Sequence, residues 1–405
     1  VQYTTVMQYS YQGLASALRK AGHEVLFLTD ENDMECIDDL IVMKAFVEFQ
    51  PHIYISINGL NTEHVHPKLV HVTWWQDPML QLKKAKLLPW RERDLIYSFI
   101  KTELLINTGA QKDKIRYQPQ CIDRDIFYIH ENIKRENKAI FVGGSGFNKL
   151  QNTDEEKALC HRIVASVNNA SNPTQQQIIS WALEAGVEPE HATDSLWYYA
   201  VRTACVHWLC HQSDLVEVEV YGRFWENDEV VAPFFRGPLP HGIPVAKTYN
   251  SATFALCVHE SAMVQQRLPE SVACGCIPLV YNNGGSSVNS LAHAEQLSFF
   301  KNEAELRQRL SGEHAPVSQE FLDQFTYDRF AERITKDVQW TLQHDPEPAL
   351  RRVLAAENPE AVDLSTSEKE QISDYLFTRA MNSCTAGDTT DSLMAKTLQA
   401  LEAQY

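Results

Sequence analysis

The chain has 405 residues, with 36 Lys and Arg against 53 Asp and Glu (formal net charge −17), and 44% apolar and 22% charged residues. These are the proportions of a globular protein too long for one ordinary core, so two domains with extra pieces are expected. The acidic balance argues against a nucleic-acid partner, because phosphate binding needs a basic face, and against broad attraction to anionic lipid, though a global average leaves room for a local basic pocket.

The chain opens "VQYTTVMQYSYQGL", without the basic-then-apolar layout of a secretion signal. "YQGLASALRKAGHEVLFLTD" reads as a helix, a stop at Gly22 and a strand "EVLFLT". "DDLIVMKAFVEFQPHIYISING" repeats that plan, with a helix over 38–49, a break at Pro51 and a strand over 53–57. "KLVHVTWWQDP" is another strand with polar and aromatic residues at its carboxyl end. "RDLIYSFI" and "LLINTGAQKDKIRYQPQCIDRDIFY" continue the alternation. Strand and helix alternating at this length predict a parallel sheet covered on both faces. Ligands of such sheets sit at the carboxyl ends of the strands, which places "ING" (57–59), "WWQDP" (74–78) and "NTG" (107–109) around one cleft. The basic stretch "QLKKAKLLPWRER" (81–93) reads as a solvated helix face; its Leu and Trp at helical spacing also suit a peripheral membrane or acceptor-side contact.

A second sheet opens at "KAIFVGGSGFN" (138–148), an apolar strand ending in a Gly-rich loop. Residues 153–215 then read as a helical block, with apolar residues recurring at three and four and Pro173 and Gly186 as punctuation. The sheet resumes with "VEVEVYGRFW", "FALCVHE" and "IPLVYNN". "NEAELRQRL" and then one long amphipathic helix, "SQEFLDQFTYDRFAERITKDVQWTLQ", follow. The last sixty or so residues are polar, acidic and helix-prone, with no evident chemistry. Nine cysteines at irregular spacing, with "CGC" at 274–276 too tight for a zinc pair, read as small buried thiols in a reducing cytosol. Two parallel-sheet domains in tandem leave glycosyltransferases, periplasmic-type binding proteins and two-domain dehydrogenases. "FVGGSGFNK" lacks the full dinucleotide fingerprint, and no export signal supports the binding proteins.

The segment "YNSATFALCVHESAMVQQRLPESVACGCIPLV" resembles the sugar-nucleotide domain of the GT-B glycosyltransferases, in the group-1 branch that includes spore-maturation (CgeB-like) proteins. The residues that carry the resemblance are Tyr249, Asn250, Ser251, Arg267, Glu270, Ala273, Cys274, Gly275 and Pro278. "HEV" after "ALRKAG", "IRYQPQCIDRDIF", "VYGRFW", "FFKNEAELRQRL" and "FTYDRFAERI" agree in order, so the likeness spans roughly residues 10–340 and is weakest over 153–215. Many retaining members carry two glutamates eight residues apart. Here Ala262 stands eight before Glu270, and the nearest acid is Glu260. The fold the resemblance implies is α/β and GT-B-like: two Rossmann-like parallel-sheet domains facing across a cleft, with a helical insertion in the second. The expected division is an acceptor domain over 1–135, a nucleotide-sugar domain over 136–335 with an insertion near 153–215, and a helical appendage over 336–405. A fucosyltransferase-like reading of "FALCVHES" ranks lower, because the later part of that pattern is absent.

The resemblance implies transfer of a sugar from a nucleotide-sugar donor to a glycan, protein or small-molecule acceptor, as in polysaccharide biosynthesis. Rival readings are a nucleotide-sugar epimerase of the same fold and a non-catalytic sugar-nucleotide-binding subunit. Glu270 is implied to hold the ribose hydroxyls, which a carboxylate suits because it accepts two hydrogen bonds from a vicinal diol. A first-turn Glu favoured by the helix dipole is the structural alternative. Arg267 could reach a phosphate or simply pair with Glu270. Arg223 and Lys247 are further phosphate candidates, with Tyr249 beside them. Gly143 and Gly144 suit either close phosphate approach or a tight turn, and Gly275 suits close packing of helix on strand. Asp77, at a strand end, is the candidate general base, or else a turn residue before Pro78. His259 is the other candidate catalytic group. Gly13, Trp74 and Trp75 are the acceptor-side candidates, the indoles offering faces for a sugar. No acidic pair sits on a suitable loop and His64, His66 and His71 show no ligand spacing, so neither a metal nor a cofactor is implied. The expected location is the cytoplasm, with at most peripheral contact at the inner face of the membrane.

Overall fold

The computed structural model describes residues 7–28, 39–60, 69–77, 79, 82, 87–91, 93–261, 263–285, 291–343, 365, 366, 368 and 369. The chain divides into two compact units, each discontinuous in sequence: one comprises Val1–Asp38 with Tyr117–Ala331, the other Asp39–Arg116 with Glu332–Tyr405.

Along the chain, α1 (Met7–Lys20) falls in the larger unit and is followed by α2 (Asp39–Phe49), β1 (Ile53–Ile57), β2 (Val70–Trp75), β3 (Asp94–Ser98), α3 (Thr102–Ile106) and β4 (Ile115–Tyr117).

 Strands β1 to β4 form one sheet in that order, with β1, β2 and β3 parallel, Ile53 beside Val70 and His71 beside Asp94. Every residue of β2 and β3 is buried, as expected of interior parallel strands covered on both faces. Trp75, Ile96, Leu105 and Ala110 form the core of one face. The expected strand over 24–29 is not a ladder strand in its described part: residues 23–28 follow α1 as irregular chain, and the segment continues outside the described residues.

The larger unit is built on β5 (Glu136–Val142), β6 (Glu217–Tyr221), β7 (Ala252–Cys257), β8 (Ile277–Tyr281) and β9 (Ser298–Phe300), in the parallel order β6-β5-β7-β8-β9. The period of two sorts its side chains. Ala139, Phe141, Phe254, Leu256 and Leu279 enter one core, while Ile140, Val142, Ala255, Cys257 and Val280 enter the other. The first core is covered by helices that lie between β5 and β6: α4 (Asp154–Asn168), α5 (Gln175–Ala185) and α6 (Trp197–Cys210). Thr153 caps α4, a Thr174–Gln177 capping box starts α5, and Gly186 ends it at φ 73°. The second core is covered by α7 (Ile243–Ser251) and α8 (Arg267–Ala273). Strand β9 is short and was not anticipated from the sequence.

Helix α9 (Glu303–Ser311) lies where expected, but the long helix expected after it is two: α10 (Gln319–Asp323) and α11 (Tyr327–Gln343). The break serves a tertiary contact, since Phe325 O accepts from Ile122 N at 2.7 Å and Ile122 bridges Thr326. Helix α1 joins the larger unit through a missing side chain. A Cβ at Gly13 would lie 2.4 Å from Cε2 of the buried Tyr327 ring, so only glycine admits that approach. Within the smaller unit, Asp337 accepts from Tyr97 Oη at 2.6 Å and pairs with Arg116 at 2.9 Å.

Candidate functional site

Strand β5 sits between β6 and β7, so the chain leaves it to one side first and to the other later. Open parallel sheets bind ligands beyond the carboxyl ends of the strands at such a point. A recess lies there, lined by Phe141 and Val142 from β5, Leu256 from β7, and Arg202, Gln265 and Arg267.

The loop after β5 is laced to the loop after β6. Gly143 N donates to Tyr221 O (2.8 Å), Ser145 N to Arg223 O (3.0 Å), Ser145 Oγ to Phe224 O (2.7 Å), and Trp225 Nε1 to Gly143 O (2.7 Å). Gly222, at φ 141°, has no room for a Cβ, which would fall 2.1 Å from Gly143 O. Space, rather than a left-handed turn, accounts for the expected pair Gly143 and Gly144. A Cβ on Gly143 would crowd Phe141 at 3.0 Å and the Arg202 guanidinium at 3.3 Å, and one on Gly144 would meet Arg223 O at 3.3 Å.

Arg202 is the residue that the sequence reading missed. It lies in α6, donates from Nη1 to Gly144 O at 2.8 Å, and stacks its guanidinium 3.9 Å from the Tyr198 ring centroid. It is 8% exposed, and its Nε has no hydrogen-bond partner among the described residues. Burial pushes its pKa down; Tyr198 and Glu260 oppose that shift and Arg267 adds to it. A buried donor of this kind is stabilised by an anionic or acceptor-rich ligand. Gln265 Nε2, in the same recess, is likewise buried without a partner.

Arg267 and Glu270 stand one turn apart on α8, with Nη1 and Oε2 at 2.6 Å. Glu270 is wholly buried. Burial raises its pKa against the pull of Arg267, while Glu270 and Tyr249 raise that of Arg267 against its own burial. Glu270 Oε1 has no hydrogen-bond partner among the described residues, and it faces His241 Nδ1, also unpartnered, at 3.8 Å. Burial, helped by Arg267, lowers the His241 pKa to about 4, so its imidazole is neutral near pH 7.

His259 and Glu260 follow β7, after Val258. Their Nδ1 and Oε2 atoms are 3.0 Å apart, and Ser261 N donates to the same Nδ1 at 3.2 Å. The His259 ring lies edge-on to Tyr198, 6.2 Å between centroids. Tyr249 is buried in α7, and burial raises its phenol pKa well above the usual value. Three donor-side expectations are not gathered with these groups. Lys247 lies on the exposed side of α7, because Val245, Ala246, Tyr249 and Asn250 take its buried side. Arg223 is exposed, and only its backbone ties the two loops. Gly275 ends α8 at φ 84°, where a Cβ would meet Arg135 Nη2 at 2.8 Å, so its place is that of a helix stop.

On the first sheet, Asp77 is exposed beyond β2 and held by Asn58, which follows β1. Trp74 and Trp75 are 0% exposed, so neither indole face is open to a sugar. Trp75 packs edge-on against Trp90 instead. Gly13 packs on Tyr327, as described above. His71 is also sealed: its Nε2 lies 2.7 Å from Ser56 Oγ and its Nδ1 3.4 Å from Asp94 Oδ1, with all three residues at most 2% exposed. This Ser-His-Asp alignment is closed inside the sheet and offers no nucleophile to a substrate. Among the described residues no group of three or more His, Cys, Asp or Glu could hold a metal ion, and no helix is long and apolar enough to cross a membrane.

Residues 202–336, a third of the chain, match the model of a family described as "Glycosyl transferase-like". No curated protein matches the sequence at a significant level. Among solved structures, AviGT4, a glycosyltransferase involved in avilamycin A biosynthesis, is similar with a TM-score of 0.50 and 12% identity, over 83% of this chain and 90% of that one. WaaG, a glycosyltransferase involved in lipopolysaccharide biosynthesis, gives a TM-score of 0.41 and 12% identity, over 80% of this chain and 91% of that one. The chain has a GT-B-type fold of two α/β units, and its segment 202–336 is similar to the glycosyl transferase-like family.

Proposed function

We propose that the chain transfers a sugar from a nucleotide-sugar donor, and that the recess beyond β5 and β7 receives the donor's phosphates. The observation that carries this reading is the convergence of Arg202 and Arg267 with the unpartnered Gln265 amide at the strand ends where parallel sheets bind ligands. Two guanidinium groups in a low-dielectric recess stabilise the charge that grows on the departing phosphate as the glycosidic bond breaks. Glu270, beside them, is the ribose carboxylate. His259, next in sequence to Val258 of the recess lining, is the polar group that serves the sugar, and Asp77 is the acceptor-side carboxylate on the first sheet.

The Arg-x-x-Glu spacing on α8 supports assignment to the CgeB-like branch. A glycan acceptor fits the fold, and the seven free, buried cysteines of the described residues fit a cytoplasmic setting. The test is a thermal-shift and calorimetric screen of UDP, GDP, CMP, dTDP and their sugars against wild type and Glu270→Ala. A ligand at a hundred times its Kd stabilises by about 2.7 kcal/mol. One nucleotide shifting wild type but not the variant is expected. Shifts in neither protein would overturn the donor site.

A further inference from the structure

The larger unit keeps two buried polar atoms that no described residue satisfies. Glu270 Oε1 and His241 Nδ1 are both buried, both lack hydrogen-bond partners among the described residues, and lie 3.8 Å apart, too far to bond each other. The Glu270 side chain is 0% and the His241 side chain 9% exposed. The His241 ring is fixed from two sides, its centroid 4.6 Å from that of Tyr9 and 5.7 Å from that of Phe127. The other carboxylate oxygen is committed to Arg267, and the Gln266 side chain also supports the carboxylate's charge.

An oxygen about 2.8 Å from each atom would bridge a gap of this width. A vicinal diol does better, giving one hydroxyl to the carboxylate and the other to the imidazole. We infer that His241 is a specificity-determining residue which, with Glu270, reads both ribose hydroxyls, so that the donor is a ribonucleotide rather than a 2′-deoxyribonucleotide. This rests on the donor reading of the recess given above. A deoxyribose would leave one of two buried polar groups unsatisfied, and sites built to bond a hydroxyl reject analogues that lack it far more strongly than apolar pockets reject an extra methylene.

The experiment is calorimetric titration of the full chain with UDP, GDP, ADP and CDP, each beside its 2′-deoxy counterpart, and with dTDP. Wild type, His241→Phe and His241→Asn are compared, with melting curves for each. Phe keeps the packing between Tyr9 and Phe127, and Asn keeps a polar group near the Nδ1 position. For the nucleotide that binds, wild type should prefer the ribose form about tenfold or more. The preference should vanish in His241→Phe while the deoxy form still binds, and should return in part in His241→Asn. Equal binding of ribose and deoxyribose forms to wild type would overturn the inference and leave the donor site standing. Binding of no nucleoside diphosphate would remove the donor site and this inference with it.

Discussion

Asn58 and Asp77 clasp the ends of neighbouring strands: Asn58 Nδ2 donates to Asp77 Oδ2 at 2.8 Å, and Asn58 Oδ1 accepts from the backbone amides of Gln76 (2.6 Å) and Asp77 (2.9 Å). Asn58 holds the left-handed conformation, φ 56°, that an Asn tolerates better than most residues. One carboxylate oxygen of Asp77 is thus oriented while the residue stays exposed. If Asp77 takes the acceptor's proton, Asp77→Asn should lower turnover by about 10²–10⁴-fold and leave nucleotide affinity unchanged. Initial rates of nucleoside diphosphate release, with calorimetry for binding, check both halves. A loss no larger than that of Asn58→Ala would reduce Asp77 to a loop residue.

Arg202 is costly to the empty protein and useful to the loaded one. Arg202→Met keeps a side chain over Tyr198 but removes a buried charge whose Nε is unpartnered. The apo protein should be as stable as wild type or more so, by up to about 2 kcal/mol. Its affinity for a nucleoside diphosphate should fall at least about tenfold. Urea melts and calorimetry on one sample measure the two opposite effects.

Glu270→Gln tests the opposite balance, because it strands Arg267 without its counter-charge. A loss of about 3–5 kcal/mol is expected, with much of it recovered when Arg267→Met is added. A double-mutant cycle by chemical denaturation gives the coupling.

Gly222 and Gly275 both have positive φ, yet they should differ in tolerance. Gly275→Ala asks the flexible Arg135 side chain to yield and should cost about 1 kcal/mol. Gly222→Ala drives a methyl group into backbone and should cost at least about 3 kcal/mol, loosening the Gly143 loop as well. Melting curves rank the two.

His241 sets a pH dependence whose sign follows from its lowered pKa. The unfolded chain takes up this proton near pH 6.5, while the folded protein resists until about pH 4. The unfolded state therefore binds more protons between these values. Stability owed to the neutral imidazole is intact above pH 6.5 and declines as pH falls to 4, by up to about 3 kcal/mol. His241→Phe should flatten the unfolding free energy over that window relative to wild type.

Much of the fold was legible because strand and helix periods differ. "VHVTWW" and "IPLVY" read as buried parallel strands, and α4 to α6 read from their three-and-four spacing. The break at Phe325–Thr326 was not legible, since it answers to Ile122, two hundred positions earlier. In the site, Arg267 and Glu270 were visible as a local pattern. Arg202 belongs to no such local pattern, although an Arg inside the largely apolar "YYAVRTACVHW" is itself a sign of a buried charge with a purpose. His241 carried no such sign, because its partners come from α1, α8 and the segment around Phe127. The tryptophans misled for a simple reason: aromatic residues at a strand end suit a sugar platform and a sealed core equally, and the sequence does not say which face is covered.

The seat of Gly13 against Tyr327 has a consequence for how the protein is made. The helix that bears Gly13 is made more than three hundred residues before its ring partner is added. At the usual pace of synthesis that interval is roughly fifteen seconds or longer. For that time the nascent helix has an apolar flank with a notch and nothing to fill it, and so it is a natural handhold for chaperones. Completion of the larger unit waits on that ring, so translation that stalls before Tyr327 is added leaves a product whose Gly13 helix cannot dock.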